Sequence, residues 1–475
     1  MMLVRSYVRG REISRSALIL AMLVAMLFFF AVPANAESNG VTSTDVSFLG
    51  DGDVTLHGTI VAPSSTGKHY PGVVMVGGAG PVKRDDFQDE AEAFAKLGIV
   101  TLIYDKRSIG YSMLHRDYSI LANDAIAGMQ LLRAQKNVDP DKVGIFGLSE
   151  GAWVAPLAAK QAPETAFVIA AGAVGVSPAR QQAWAYGEFL RHAGVTGSFL
   201  KMMQVNGIRQ LVDAGLFTQH DYDPVPSWEQ VHQPVLALWG ALDREAVPEE
   251  SSHIIQQALE RGGNTLYTIA FIEGARHNLN VTFNGGFDRP NELADGFVDT
   301  VGSWVNSLAQ SAPIISVHVA PHQDRQSVAI MPLSRLESGW LQIGALLIFI
   351  IAFSSYPLVA LYRIVFKRRS AVLAQLPARW LVAVGLTTVL GFVIYFLFTV
   401  VTAANLIGPV VLGQPIPWLV LRLLAVATIV LTIFTFASWR RNLHQITGGV
   451  RIQLFLLALA GVVFIPWAFY WGLLI

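Results

Sequence analysis

The last third of the chain holds four long apolar stretches, and no other feature restricts its fold as strongly. They run from Trp340 to Tyr362, Trp380 to Val401, Trp418 to Ala437 and Ile452 to Ile475. Each can form a helix that crosses a hydrocarbon core of about 30 Å, where every backbone polar group must be satisfied within the helix itself. Trp340, Trp380, Trp418, Trp439 and Trp471 lie near their ends, where amphipathic rings favour the membrane interface. An all-α transmembrane bundle over residues 339–475 is therefore expected. The first connecting loop carries Arg363, Lys367, Arg368, Arg369 and Arg379, and the third carries Arg440, Arg441 and Arg451. The second, Thr402 to Pro417, has no charge. Basic loops stay on the cytoplasmic side, so everything before the bundle is expected on the other side, together with the C-terminus. Arg422 is the charged residue lying well inside a stretch, about a turn from its outer end, where it can snorkel. Without intramembrane acids or bases, a transport role is disfavoured.

The N-terminus agrees with that orientation. Arg5, Arg9, Arg11 and Arg15 precede the apolar run Ala17 to Val32, and Ala34-Asn35-Ala36 supplies a small-residue exit. These are the parts of a secretory signal peptide, so residues 1–36 are expected to be removed; an uncleaved anchor is the alternative. The formal net charge is zero, which gives no electrostatic case for nucleic acid as a partner. There are no cysteines, so disulfides, thiolate metal sites and a cysteine nucleophile are excluded.

Residues 37–308 read differently. Apolar, β-rich runs alternate with helical patterns, which predicts an α/β fold with a mostly parallel sheet flanked by helices. The strands are expected at Gly72 to Val76, Ile99 to Tyr104, Lys142 to Phe146, Ala166 to Ala170 and Val235 to Trp239. Helices are expected at Phe87 to Leu97, Asn123 to Gln135 and Ala152 to Gln161, with a last one striped by Leu293, Phe297, Val301, Trp304 and Leu308. The interval 173–232 breaks the rhythm with a helical pattern carrying Trp184, Tyr186, Phe189, Phe199, Met202, Met203 and Leu211. It is either an ordinary helical pair or a cap whose apolar side chains line an acyl pocket. Residues 309–338 read as a linker.

Gly147-Leu148-Ser149-Glu150-Gly151 matches G-x-S-x-G. It follows the strand ending at Phe146 and precedes the helix from Ala152, the strand–turn–helix setting that lifts a serine Oγ above a sheet edge. A serine hydroxyl needs a base to take its proton, and that base needs a third group to orient it. Asp243, in Trp239-Gly240-Ala241-Leu242-Asp243, and His277, in Glu273-Gly274-Ala275-Arg276-His277-Asn278, each follow a late strand and fit those roles. Glu245 and Glu249 are alternative acids. Two backbone N–H groups should stabilise the developing oxyanion. The expected donors are Glu150, after the nucleophile, and Ala79, in Gly77-Gly78-Ala79-Gly80-Pro81.

With these motifs in place, residues 45–308 resemble the α/β-hydrolase superfamily, especially bacterial esterases similar to dienelactone hydrolases and prolyl-oligopeptidase catalytic domains. The resemblance also rests on Tyr104-Asp105-Lys106-Arg107-Ser108-Ile109-Gly110-Tyr111-Ser112, on Val138 to Val143 and on Gly240 to Pro248. Gly77 stands where the family often has His, and Arg107-Ser108-Ile109-Gly110 departs from the usual Arg-Gly-x-Gly turn. The resemblance implies a serine hydrolase cleaving carboxylic esters or thioesters through an acyl-enzyme, with no cofactor or metal. Its substrate would be a small-molecule or lipid-linked acyl compound, met beside membrane lipids. Peptidase and acyltransferase chemistry use the same triad, and an inactive hydrolase-like part of a membrane transport or signalling protein is a third reading. The bundle is expected to act as an anchor, leaving residues 37–310 soluble by themselves.

The charge pattern predicts that a reporter requiring the cytoplasm is active when fused after Arg369 and inactive when fused at Ile475. The reverse pattern in a pair of such fusions would reject this topology.

Overall fold

The computed structural model describes residues 40–65, 67–308, 315–366, 376–441 and 448–475. The signal segment 1–36 and the loop residues Lys367, Arg368 and Arg369 lie outside them.

The central sheet has nine strands in the order β1-β2-β4-β3-β5-β6-β7-β8-β9. They are β1 (Val41–Leu49), β2 (Thr55–Pro63), β3 (Tyr70–Val76), β4 (Val100–Tyr104), β5 (Val138–Leu148), β6 (Val168–Ala171), β7 (Val235–Gly240), β8 (Tyr267–Ile272) and β9 (Ser316–Val317). β1 and β2 form an antiparallel hairpin in which Val41 faces Pro63 and Leu49 faces Thr55. β2 meets β4 antiparallel, and from β4 onward neighbouring strands are parallel. The parallel strands read as continuous apolar runs because both of their faces are covered. In β3, Val74 and Val76 enter one core layer while Val73 and Met75 enter the other, the period-two alternation of a strand.

The first layer is closed by α2 (Tyr118–Arg133), α3 (Gly151–Gln161) and α8 (Pro248–Arg261), the second by α1 (Gln88–Lys96) and α9 (Phe297–Ser307). α2 starts five residues before the predicted Asn123. Asp117 caps it, its carboxylate accepting from the N–H groups of Ser119 and Ile120.

Between β6 and β7 the chain forms α4 (Pro178–His192), α5 (Gly197–Lys201), a π-helical turn over Met202–Gly207, α6 (Ile208–Asp213) and α7 (Val225–Trp228). Four long helices close the chain: α10 (Gly339–Val365), α11 (Leu376–Val401), α12 (Ile416–Arg441) and α13 (Gly448–Tyr470). Each contains a segment long and apolar enough to cross a membrane. Leu347, Ile351, Ile394, Leu423, Ile433, Phe455 and Val462 are exposed along their flanks, as a lipid-facing surface requires.

The side chains that the cap reading of 173–232 assigns to an acyl pocket do not gather into one. Tyr186, Phe189, Phe199, Met202 and Met203 instead share one buried cluster with Phe349, Phe353, Phe396, Trp418, Trp467 and Trp471. Leu211 packs against the same cluster, and Trp184 belongs to the sheet layer. The apolar side of α4–α6 is consumed by the long helices. Polar contacts complete this seat. Trp418 Nε1 donates to Ser198 Oγ at 3.1 Å, Gln414 Nε2 to the Thr196 carbonyl at 2.6 Å, and Asn206 Nδ2 to the Tyr470 carbonyl at 2.6 Å.

The stretch expected as a linker is also engaged over its described part. Arg180 donates to Ser327 Oγ at 2.6 Å, Glu250 accepts from the Ser327 N–H at 2.6 Å, and Arg209 pairs with Glu337 at 2.9 Å. Trp184 Nε1 donates to the Arg325 carbonyl at 2.8 Å.

These contacts argue against the expectation that residues 37–310 are soluble alone. Removing the long helices would expose Phe199, Met202 and Met203, now at most 1% exposed, each worth about 1.5–3 kcal/mol on burial. We expect the truncated chain to aggregate or to need detergent, and to unfold at lower temperature than the full chain in the same detergent. A monomeric, detergent-free species of unchanged melting temperature would contradict the shared core.

Candidate active site

β5 ends at Leu148 and α3 begins at Gly151, so Ser149 and Glu150 must reverse the chain in two residues. Ser149 takes φ 55°, a left-handed conformation that costs a non-glycine residue about 1–2 kcal/mol. Its N–H is held by the Ala171 carbonyl at 2.9 Å. A Cβ at position 147 would stand 2.0 Å from the Gly151 carbonyl oxygen, and one at 151 would stand 2.1 Å from that of Val76. Both glycines of the elbow are therefore fixed by close backbone approach.

Asp243 follows β7 and His277 follows β8, and the parallel register brings both to the same sheet edge as Ser149. His277 Nε2 lies 2.9 Å from Ser149 Oγ, and His277 Nδ1 lies 2.8 Å from Asp243 Oδ2. The other Asp243 oxygen accepts from the N–H groups of Glu245 at 2.7 Å and Ala246 at 2.9 Å. The three predicted residues thus meet as one relay. Neither alternative acid reaches His277: Glu245 pairs with Arg289 at 3.0 Å, and Glu249 accepts from the Gln323 N–H at 2.7 Å.

Asp243 and His277 are both almost fully buried. Burial opposes each charge, but their mutual attraction outweighs it. Asp243 is held below the usual carboxylate range by His277 and its two backbone donors. His277 is raised to about 9 by Asp243, with Glu245 adding to the effect.

The turn after β3 lies against the nucleophile. A Cβ on Gly78 would be 3.4 Å from Ser149 Cβ. Among the described residues, no hydrogen bond occupies the N–H of Ala79 or that of Glu150, so both predicted donors stay available beside Ser149.

A cavity of about 580 Å³ opens at Ser149. It is lined by Gly78, Ala79, His277 and Asn278, and by a row of acids, Asp85, Asp86, Asp89 and Glu90. Burial, with Asp89 and Asp86 adding to it, pushes Glu90 up to about 7 against the pull of a backbone N–H. No side chain from 173–232 lines this cavity. Sequence reasoning missed Glu90 and its acidic neighbours, because charged residues at a helix start ordinarily read as a solvated end. Nor did the sequence pair Lys106 and Tyr111 with the Glu150 carboxylate. Among the described residues, no group of three or more His, Asp or Glu is placed to hold a metal ion.

Fold and site geometry resemble those of serine hydrolases of the α/β-hydrolase type: a mostly parallel sheet with Ser149, His277 and Asp243 in hydrogen-bonded line. Residues 86–296, which contain Ser149, Asp243 and His277, match the model of the prolyl oligopeptidase family. The chain is 30% identical over 112 residues to a thiohydrolase of Aspergillus aculeatus, covering 23% of this chain and 34% of that protein. It is 35% identical over 108 residues to an uncharacterized protein of Mycobacterium tuberculosis, covering 22% of this chain and 38% of that one. The chain thus spans little more than a third of the length of either relative. Similar solved structures include bacterial brefeldin A esterase, with TM-score 0.43 and 15% identity over 62% of this chain and 86% of that one. Another is the acylaminoacyl peptidase of Pyrococcus horikoshii, with TM-score 0.38 and 19% identity over 52% of this chain and 40% of that one.

A base must be neutral to accept a proton. Because His277 is raised to about 9, kcat/KM on a neutral ester should rise from pH 7 toward pH 9. Asp243→Asn should move that rise to lower pH and reduce kcat by about 10⁴. A wild-type profile flat across this range, or an Asn variant of full activity, would show that the relay does not set the rate.

Proposed function

We propose that the protein is a membrane-anchored hydrolase of carboxylic esters or thioesters, working through an acyl-enzyme on Ser149 at the non-cytoplasmic face. The carrying observation is the hydrogen-bonded line from Ser149 Oγ through His277 to Asp243, beside two unoccupied N–H groups.

In this reading Ser149 Oγ attacks the acyl carbon while His277 Nε2 takes the hydroxyl proton. Asp243 holds the imidazole in place and stabilises its charge, without itself taking a proton. The carbonyl oxygen becomes negative and accepts from the N–H groups of Ala79 and Glu150. Collapse of the tetrahedral species expels the alcohol or thiol, which receives the proton from His277. Water then enters and gives a proton to the same imidazole. Its oxygen attacks the acyl carbon, Ser149 Oγ leaves and is reprotonated, and the acid is released. Similarity to a fungal thiohydrolase favours including thioesters. The family match favours peptide bonds as the second reading; the same steps would serve, with an amine as leaving group.

Packing bears on the face. α4–α6 seat on the Trp418 end of α12 and the Tyr470 end of α13. Arg440, Arg441 and Arg451 lie at the opposite ends of those helices. Basic ends belong in the cytoplasm, which supports a hydrolase facing away from it. With residues 1–36 as a signal peptide, residues 37–308 carry the chemistry and residues 339–475 the membrane attachment.

The acidic cavity favours short acyl groups over long chains. We expect the full-length protein in detergent to react with a fluorophosphonate probe and to hydrolyse p-nitrophenyl acetate faster than the decanoate. Ser149→Ala should lose both activities, by about 10⁶ in kcat if the triad acts as a unit. Retention of a few per cent of activity by that variant would remove Ser149 as the nucleophile.

A further inference from the structure

The residue after the nucleophile is a glutamate 1% exposed. A buried carboxylate loses several kcal/mol of solvation, by rough estimate, unless partners replace the water. Lys106 Nζ lies 2.8 Å from Glu150 Oε1, Tyr111 Oη donates to the same oxygen at 2.6 Å, and Arg116 Nη1 stands 3.4 Å from Oε2.

Two of these partners reach past the carboxylate. Lys106 Nζ also donates to the Gly78 carbonyl, and Tyr111 Oη accepts from the Gly80 N–H at 3.1 Å. Ala79 lies between those two points. The carbonyl of Gly78 and the N–H of Ala79 belong to one peptide unit, which is planar and trans, so they point in opposite directions. An ammonium gripping the carbonyl therefore fixes where the Ala79 N–H points. It also draws electron density from that N–H, because bonds in a hydrogen-bonded chain polarise one another. The second grip, at Gly80, stops the next peptide from rotating.

We propose that Lys106 and Tyr111, held by Glu150, are positioning residues that aim and polarise the Ala79 N–H toward the oxyanion formed on Ser149. This rests on the esterase reading above, and it adds a reason for an ion pair at this place. Glu150 contributes twice. Its backbone N–H is one oxyanion donor, and its carboxylate anchors the clamp that sets the other. The two donors come from separate segments, after β3 and after β5, and the Lys106–Glu150 pair ties those segments together. The nearby pair of Arg107 with Asp124, at 2.7 Å, is equally buried but binds the Asp51 carbonyl instead, so burial of an ion pair alone does not produce this connection.

A plain core strut and an oxyanion clamp differ in what they change. A core strut that loses one partner lowers stability but leaves kcat of the folded protein unchanged, whereas misdirecting an oxyanion donor lowers kcat by about 10²–10³-fold. The test uses full-length protein in detergent, with wild type, Lys106→Met, Lys106→Arg and Tyr111→Phe. Each is assayed for kcat and KM on p-nitrophenyl acetate and for affinity toward a trifluoromethyl ketone, which forms a tetrahedral adduct with a serine. The clamp predicts a loss of about 10²-fold or more in kcat for Lys106→Met. KM should stay within about threefold, and ketone affinity should fall in step with kcat. Tyr111→Phe, which keeps the ring and is the milder change, should show the same pattern at smaller size, and Lys106→Arg should recover part of the loss. Unchanged kcat and ketone affinity in folded Lys106→Met and Tyr111→Phe would overturn the clamp and leave the esterase reading intact. A wild type that neither turns over ester nor binds the ketone would instead overturn the esterase reading, and the clamp with it.

Discussion

The shared apolar core between α4–α6 and the four long helices decides how the rest of the molecule can be arranged. Tyr186, Phe199, Met202 and Met203 on one side, and Phe349, Phe396, Trp418 and Trp471 on the other, are buried only because each set covers the other. Phe199 packs at 5.0 Å from Trp418 and at 5.4 Å from Tyr395. Burial of this kind is additive in area and has no direction, so it sets proximity but not register. Register comes from the polar contacts around it, such as Gln414 to the Thr196 carbonyl and Asn206 to the Tyr470 carbonyl.

At the sheet edge the constraint is of the other kind, backbone geometry. Three parallel strands, β5, β7 and β8, deliver Ser149, Asp243 and His277 to one edge. The strained turn at Ser149 is tolerated because the surroundings hold it: the Ala171 carbonyl takes its N–H, and Gly147 and Gly151 leave no side chain in the way. Burial makes the Asp243–His277 attraction strong enough to overcome desolvation, which raises the base and lowers the acid together.

Much of this was legible in the sequence. The parallel strands were, because apolar runs of four to seven residues between helical patterns leave few alternatives. The meeting of Ser149, His277 and Asp243 was, because chain order and position after successive strands select Asp243 over Glu245 and His277 over the other histidines. The β1–β2 hairpin was not anticipated. β1 is exposed over most of its length, with polar Thr42, Ser43, Thr44 and Asp45 and only Val41 and Phe48 buried, a weak signal beside the apolar strands. The destination of the α4–α6 apolar faces was also out of reach. A stripe of aromatic and methionine side chains states that it will be buried, not against what, and its partner lies more than a hundred residues further along the chain. The motif Tyr104 to Ser112 did carry a readable hint: a lysine two residues after a β-rich apolar run is expensive to bury unless something pairs with it.

The loop that carries His277 shows how the two constraints meet. It is braced from within by Arg276, which donates to the Pro290 carbonyl at 3.0 Å, and by Asn280, which donates to the Asn291 carbonyl at 2.8 Å. On its outer side Phe287 stacks on His192 at 3.8 Å and meets Phe189 edge-on at 5.3 Å. Both belong to α4, and Phe189 also belongs to the core shared with the long helices. A continuous packed path therefore runs from the long helices through α4 and Phe287 to the loop of His277. Interiors packed at crystal-like density transmit small displacements instead of absorbing them. The position of the sheet edge that carries Ser149 and His277 relative to the long helices is accordingly set by direct packing, and a flexible tether would not give that.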